Sequence, residues 1–354
     1  MKTISKGINQ SRNILITGGA GFIASNFIHY WFKKYPKDNL FILDLLSYAA
    51  NINSIKPLLK NKNIEFLQGN INDFNLLTKI FKKKQITDVI NFAAETHVDR
   101  SINSPSIFFE TNVLGTYNLL DRFKNHWEIN NKPKNWRFLQ ISTDEVFGSL
   151  SFEDKPFSEV SPYDPRSPYS ASKASSDHIV KAWHSTYGLP TLISHCSNNY
   201  GPFQFPEKLI PLTITNILKS KEIPVYGDGL NIRDWLYVED HCSAIDLIIN
   251  NSAPGEIYCI GGNNELRNID LIKNICDLVD QFAPKFNIKL NHNKSLNLIT
   301  YVDDRLGHDR RYAINSNKLL KKFNWEPKIE FEEGIKRTIC WYLKNIEWWM
   351  PLLK

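Results

Sequence analysis

No stretch of this sequence approaches the ~18 consecutive apolar residues of a membrane span. Its first dozen residues are too polar for a secretory leader. Residues 1–12 are therefore expected to be a loose tail, and the chain to work in the cytoplasm away from any membrane. Cysteine is sparse: Cys196, Cys242, Cys259, Cys276 and Cys340 are scattered and odd in number, with no Cys-x-x-Cys and no histidine pair at zinc-ligand spacing. This excludes a disulfide framework and a zinc site and predicts reduced thiols. His97 and Asp99 are two possible ligands without further partners, so no metal is expected. Runs of five or more like charges are also missing, and a net charge of +6 is too mild to argue for nucleic acid without a recognisable binding module. Internal repeats and low-complexity tracts are absent.

What is present is enough for about two ordinary domains: 354 residues, 42% of them hydrophobic. Residues 13–17 read as a strand. Gly18-Gly19-Ala20-Gly21-Phe22-Ile23-Ala24-Ser25 follows, and then a helical pattern through Phe27, Ile28, Trp31 and Phe32. Strand, glycine turn and helix in that order make a dinucleotide site. Gly18 permits the tight turn, and Gly21 lets backbone approach a pyrophosphate at the helix N-terminus. Ala24 is small enough for close helix–strand packing. A second strand at 40–43 ends in Asp44, 26 residues after Gly18 and near the usual place of a ribose-binding acid. A carboxylate there would repel a 2′-phosphate, so NAD is expected rather than NADP.

Strand-like runs recur near 64–67, 89–92 and 138–141, alternating with helical patterns near 75–83 and 105–123. The fold class is therefore α/β, a Rossmann-type doubly wound parallel sheet covered on both faces. Ala93 and Ala94 follow a strand at its C-terminal end, where small residues allow close approach of a cofactor. The helix at 105–123 is apolar over more than one stripe (Ile107, Phe108, Val113, Leu114, Tyr117, Leu120), so a partner is expected to cover part of it.

The chemistry concentrates between residues 141 and 173. Ile141-Ser142-Thr143-Asp144-Glu145-Val146-Phe147-Gly148 sets a hydroxyl and two carboxylates side by side at the end of a buried strand. Tyr169-Ser170-Ala171-Ser172-Lys173 puts a phenol and an ammonium four positions apart, on one face of a helix. A free tyrosine has a pKa of about 10. A neighbouring ammonium favours the phenolate and makes it a usable base toward an alcohol. Taking an alcohol proton is half of an oxidation, and the nicotinamide supplies the other half.

These residues resemble the extended short-chain dehydrogenase/reductase superfamily and, within it, the nucleotide-sugar 4,6-dehydratases. The glycine turn and the Tyr-x-x-x-Lys pair carry only the superfamily. More specific are Ala94-Glu95-Thr96-His97-Val98-Asp99-Arg100-Ser101, Ser142-Thr143-Asp144-Glu145-Val146 and Cys196-Ser197-Asn198-Asn199-Tyr200-Gly201-Pro202. So are Phe205-Pro206-Glu207-Lys208-Leu209-Ile210-Pro211, Asn231-Ile232-Arg233-Asp234-Trp235 and Asp304-Arg305-Leu306-Gly307-His308-Asp309-Arg310-Arg311-Tyr312. Ala24, Asn70 and Leu306 stand where the family usually has glycine, aspartate and proline.

The resemblance implies a set of roles. Tyr169 would take the sugar's 4-hydroxyl proton, with Lys173 lowering its pKa and holding the ribose and Thr143 bonding the reacting hydroxyl. Glu145 would take the proton on carbon 5, and Asp144 would protonate the departing 6-hydroxyl. Two adjacent carboxylates can hold opposite roles when their surroundings separate their pKa values. Gly18, Gly21, Phe22, Ile23, Asp44, Asn70, Ile71, Ala93, Thr111, Tyr169 and Lys173 would bind NAD. Asn198, Glu207, Lys208, Leu209, Arg233, Asn268, Arg305 and His308 would bind a nucleoside-diphosphate glucose, with thymidine as the implied donor and uridine the alternative. A 4-epimerase would need Thr143, Tyr169 and Lys173 but has no use for the Asp-Glu pair. A non-catalytic NAD-binding protein would have no need to keep Tyr169, Lys173 and Glu145.

The regular alternation breaks after Tyr200. Residues 13–200 are expected to form the NAD-binding domain, with 234–262 returning to it, and 201–354 to form mainly a smaller substrate-binding α/β domain. The last helix, with Ile335, Ile339, Trp341, Tyr342 and Ile346, is expected to serve packing. A homodimer through two helices per subunit is expected from the 105–123 face and from Ile179, Val180 and Trp183.

Overall fold

The computed structural model describes residues 11–353. Six parallel strands and a late seventh form the main sheet. They are β1 (Asn13–Thr17), β2 (Asn39–Asp44), β3 (Ile64–Gln68), β4 (Asp88–Asn91), β5 (Arg137–Thr143) and β6 (Thr191–Cys196), with β10 (Ile257–Ile260) beyond β6. Across the sheet the order is β10-β6-β5-β4-β1-β2-β3. The direction of winding reverses between β1 and β4, which opens a crevice at the strands' C-terminal ends. Strands this rich in Ile, Leu and Val are buried on both faces. In β1, Ile14 and Ile16 join the core on one face with Phe27, Trp31 and Ile245, while Leu15 joins the other with Leu119, Phe123 and Val180.

A second core gathers around Tyr200, Ile214, Trp235, Ile272, Ile335 and Tyr342. Its sheet holds β7 (Asn198–Tyr200), β9 (Ile232–Tyr237) and β11 (Glu265–Arg267), with β9 central. β8 (Ile223–Tyr226) and β12 (Ile299–Val302) pair separately. The segment 234–262 is shared between the two sheets. Residues 234–237 end β9, the helix Val238–Asn251 packs on the helix Phe22–Lys34, and β10 pairs with β6.

The expected tail falls mostly outside the described residues, but Arg12 is not loose. Its guanidinium pairs with Asp38 at 2.7 Å, donates to Asn250 and lies over the Trp31 ring, since a cation this close to a buried carboxylate and an indole face is held from both sides. The expected single helix at 105–123 is also more complex. It begins as the short turn Ser106–Phe108, passes through a π-helical stretch Phe109–Leu114, and continues as Gly115–Ile129. Such a stretch re-phases a helix and is common beside functional sites. Among the described residues no helix is long and apolar enough to cross a membrane, and no cluster of side chains is suited to hold a metal ion.

Candidate active site

The crevice is lined by the glycine turn, the ends of β2, β4, β5 and β6, the π-helical stretch, the first turn of the helix Pro168–Tyr187 and the loop before the helix Leu209–Leu218. Gly18 has φ +65°, and a Cβ there would lie 2.7 Å from the Ala93 nitrogen, so only glycine fits. Gly21 caps the helix Phe22–Lys34 with its N-terminal amides facing the crevice. Asp44 ties the turn down: one carboxylate oxygen accepts from Ala20 N at 2.9 Å and the other from Leu46 N at 2.7 Å. Each oxygen keeps a lone pair for a ribose hydroxyl. This cradle fits the pyrophosphate and ribose of a dinucleotide.

All eleven residues expected to touch NAD line the crevice, as do Thr143, Asp144 and Glu145. Of the substrate set, Asn198, Glu207 and Lys208 lie on its wall; Leu209, Arg233, Asn268, Arg305 and His308 do not. Leu209 packs toward the second core, and Asn268 opens the helix Asn268–Phe282 with its side-chain oxygen buried and unpartnered. His308 Nδ1 lies 2.6 Å from Asp304. Arg233 is buried, donates to the carbonyls of Ile232 and Asp309 and stands 4.3 Å over the Tyr312 ring. Arg233 and Arg305 stand behind the crevice wall rather than on it, and Arg305 lies 3.9 Å from Asp99. Arg305, Arg233 and Lys208 nevertheless all favour the ionised form of Glu145.

The two carboxylates have different surroundings. Burial holds Asp144 well above the usual carboxylate range, with Glu145 and Asp234 adding to it, and its Oδ2 is buried without a hydrogen-bond partner. Burial also raises Glu145, but the three cations oppose it. Asp144 is thereby suited to carry a proton and Glu145 to accept one.

Tyr169 and Lys173 share the buried face of a helix that starts with Pro168 after a reciprocal Ser167–Ser170 cap. Lys173 lies one turn beyond Tyr169 on this helix. Its ammonium donates to the Ile141 carbonyl at 2.7 Å, and the phenol stands well above its ordinary value through burial and the nearby Glu145, eased only by a hydrogen bond with Thr143. An ammonium with one hydrogen bond to a carbonyl keeps two further N–H donors.

Two sets of residues went unnoticed in the sequence. Asn112, buried in the π-helical stretch, donates to Glu95 O at 3.0 Å and Ser172 Oγ at 2.8 Å and accepts from Glu95 N at 2.9 Å. It locks the β4 loop to the Tyr169 helix. Its only signal was a lone amide in an apolar helix. Thr17, Asn91 and Gln140 form a buried row across β1, β4 and β5, with bonds of 2.6 Å and 2.8 Å. This row satisfies polar groups under the crevice floor.

The described geometry has close counterparts. The family model for GDP-mannose 4,6 dehydratase matches residues 15–338. A dTDP-glucose 4,6-dehydratase of Salmonella typhimurium is 47% identical over 345 residues, covering 95% of this chain and 94% of that protein. The crystal structure of dTDP-glucose 4,6-dehydratase from Bacillus anthracis in complex with NAD superposes with a TM-score of 0.84 at 45% identity, covering 97% of this chain and 100% of that one. That of the Streptomyces venezuelae dTDP-glucose 4,6-dehydratase, also with NAD bound, gives 0.86 at 40% identity, covering 96% and 99%.

Proposed function

This chain belongs to the GDP-mannose 4,6-dehydratase family, and we propose that its own reaction converts dTDP-glucose to dTDP-4-keto-6-deoxyglucose and water, with tightly bound NAD as internal hydride carrier. The observation that carries this reading is the Asp144–Glu145 pair, oppositely disposed toward protons and lining one crevice with Thr143 and Tyr169. A 4-epimerase has no step for that pair.

Gly18, Gly21, Phe22 and Ile23 would hold the pyrophosphate side of NAD, Asp44 a ribose, Asn70 and Ile71 the adenine side, and Ala93, Thr111 and Lys173 the nicotinamide half. When bound, NAD would supply the acceptor for the hydride of carbon 4 and the hydride for carbon 6. Tyr169 takes the 4-hydroxyl proton, oriented by Thr143. The resulting ketone acidifies carbon 5, and Glu145 removes that proton. Asp144 gives its proton to the 6-hydroxyl, so the carbon–oxygen bond breaks and water leaves. Glu145 then returns its proton to carbon 5 as carbon 6 gains its hydrogen. Lys208, Arg233 and Arg305 are the cations available to the diphosphate, Lys208 from the crevice wall and the arginines from close behind it. Free thiols at all five cysteines suit a reducing cytoplasm.

The test is incubation with dTDP-glucose and with UDP-glucose separately, following the 4-keto product. The two substrates differ by the base methyl and by the ribose 2′-hydroxyl; the methyl alone discriminates by about 10–200-fold, so kcat/KM is expected to favour dTDP-glucose by at least about 10-fold. Equal or reversed values would move the assignment to a uridine donor, and 4-epimer without keto product would overturn it.

The protein is further proposed to be a homodimer built on two helices per subunit. Ile107, Phe109, Leu114 and Tyr117 are each 41–49% exposed along one helical segment, a contiguous apolar face of the kind that partners cover. Trp183 meets Tyr117 edge-on at 5.7 Å and extends that face, but Val180 does not: it is fully buried in the sheet's own core, because the helix turns that side inward. Light scattering at micromolar concentration is expected to give twice the 41.0 kDa of one chain. A 41.0 kDa species would count against the dimer.

A further inference from the structure

Phe203 is out of place by ordinary rules. It follows Gly201-Pro202 in a turn and has φ +67°, a left-handed conformation usually left to glycine or asparagine. Its ring explains how the position is tolerated. It lies 4.9 Å from Trp341 and 5.8 Å from Trp348, edge-on to both, and stacks on His29 at 5.7 Å. Trp341 and Trp348 belong to the C-terminal helices and themselves meet at 5.0 Å. The neighbouring backbone is tied down from the same side. Tyr342 donates to the Gln204 carbonyl, and Asn26 donates to the Pro202 carbonyl at 2.8 Å. Trp348 also reaches Ser54 Oγ at 3.3 Å. Immediately after this clamp the chain runs through Gln204, Phe205, Glu207 and Lys208, all on the crevice wall.

We propose that the C-terminal tryptophan segment is a positioning element for the substrate loop: Trp341 and Trp348 hold Phe203 in its left-handed turn and so aim Gln204–Lys208 into the crevice. The last helices thereby act on binding as well as packing. This rests on the reading of Glu207 and Lys208 as nucleotide-sugar contacts. Backbone strain held by surrounding contacts is a recurrent way of fixing a binding loop.

The test is a double-mutant cycle of Trp348→Ala and Phe203→Ala, alanine rather than glycine because glycine would hold the left-handed turn without any clamp. An edge-on ring pair is worth enough to change an equilibrium about 2–12-fold. Each single variant is expected to raise KM for dTDP-glucose by a factor in that range while kcat and the NAD content per subunit hold. The double variant should do little more than either single one, because both remove the same contact. Trp348→Phe, which keeps a ring, should restore most of the KM. Tryptic nicking after Lys208 provides a readout that needs no substrate, and it should be faster in both single variants. Additive effects, or an unchanged KM with unchanged nicking, would overturn the inference. If Trp348→Ala does not fold, Phe203→Ala alone still decides, since it leaves the C-terminus intact. A wild-type chain that turns over neither sugar nucleotide would defeat the functional reading, and the nicking rates would then judge the clamp by themselves.

Discussion

With Glu145→Gln, hydride transfer from carbon 4 survives and water loss does not. The amide keeps the size and most of the hydrogen bonding of the acid but cannot take the carbon 5 proton. Oxidation precedes that step and does not use it, so reduced nicotinamide should accumulate in a single turnover, visible by its absorbance. General acid–base groups typically contribute 10²–10⁴-fold, and the elimination step should slow by about that much. Asp144→Asn should spare oxidation likewise and slow elimination, because the proton that burial keeps on Asp144 is no longer there to give. Parental elimination rates in the Glu145 variant would defeat the assigned mechanism. Equal loss of both steps would make Glu145 a positioning group. Because burial raises Glu145 and the base must be ionised, kcat should fall with decreasing pH through a value above the usual glutamate range.

Tyr169→Phe should nearly abolish the first step, by about 10²–10⁴-fold, while NAD stays bound. The ring packs edge-on against Phe108 at 6.3 Å, and that contact needs no hydroxyl. Cofactor content measured after denaturation should match the parent, with no reduced nicotinamide forming on addition of sugar nucleotide. Near-normal turnover would show that another group is the base. The phenol stands well above its ordinary value through burial and the nearby Glu145. An enzyme emptied of NAD should therefore leave this tyrosine protonated across the neutral range, which ultraviolet titration can follow.

The glycine turn, Asp44 and the Tyr169–Lys173 face were readable in the sequence because each is a local rule: one φ angle, one distance along the chain, one helical turn. The parallel sheet was readable from alternation, and the structure shows its first strand at residues 13–17 as expected. What could not be read depends on elements meeting from far apart. Arg233 belongs to one of the family-like motifs yet lies off the crevice wall, since β9 of the second sheet sets its place. Val180 looked outward because a helical stripe does not say which of two neighbours it faces. The π-helical stretch is invisible to a 3.6-residue pattern, and with it went Asn112. The bond from Lys173 to the Ile141 carbonyl also joins elements that no helical spacing relates. Phe203 was hidden for the opposite reason: nothing in a turn sequence announces that a ring will be used where glycine would serve.

The late arrival of β10 has a consequence for how the chain is made. β6 is buried along its whole length, but one of its two edges is covered only by residues 257–260, with the second sheet's first strands synthesised in between. At a synthesis rate of about 5–20 residues per second, the interval between β6 and β10 lasts roughly 3–13 s. Throughout it the nascent sheet has a bare edge with unpaired backbone groups, which is the feature other chains pair with most readily. Assembly of the nucleotide-binding half therefore waits on the half that follows it, and the two lobes are joined in time as well as in space.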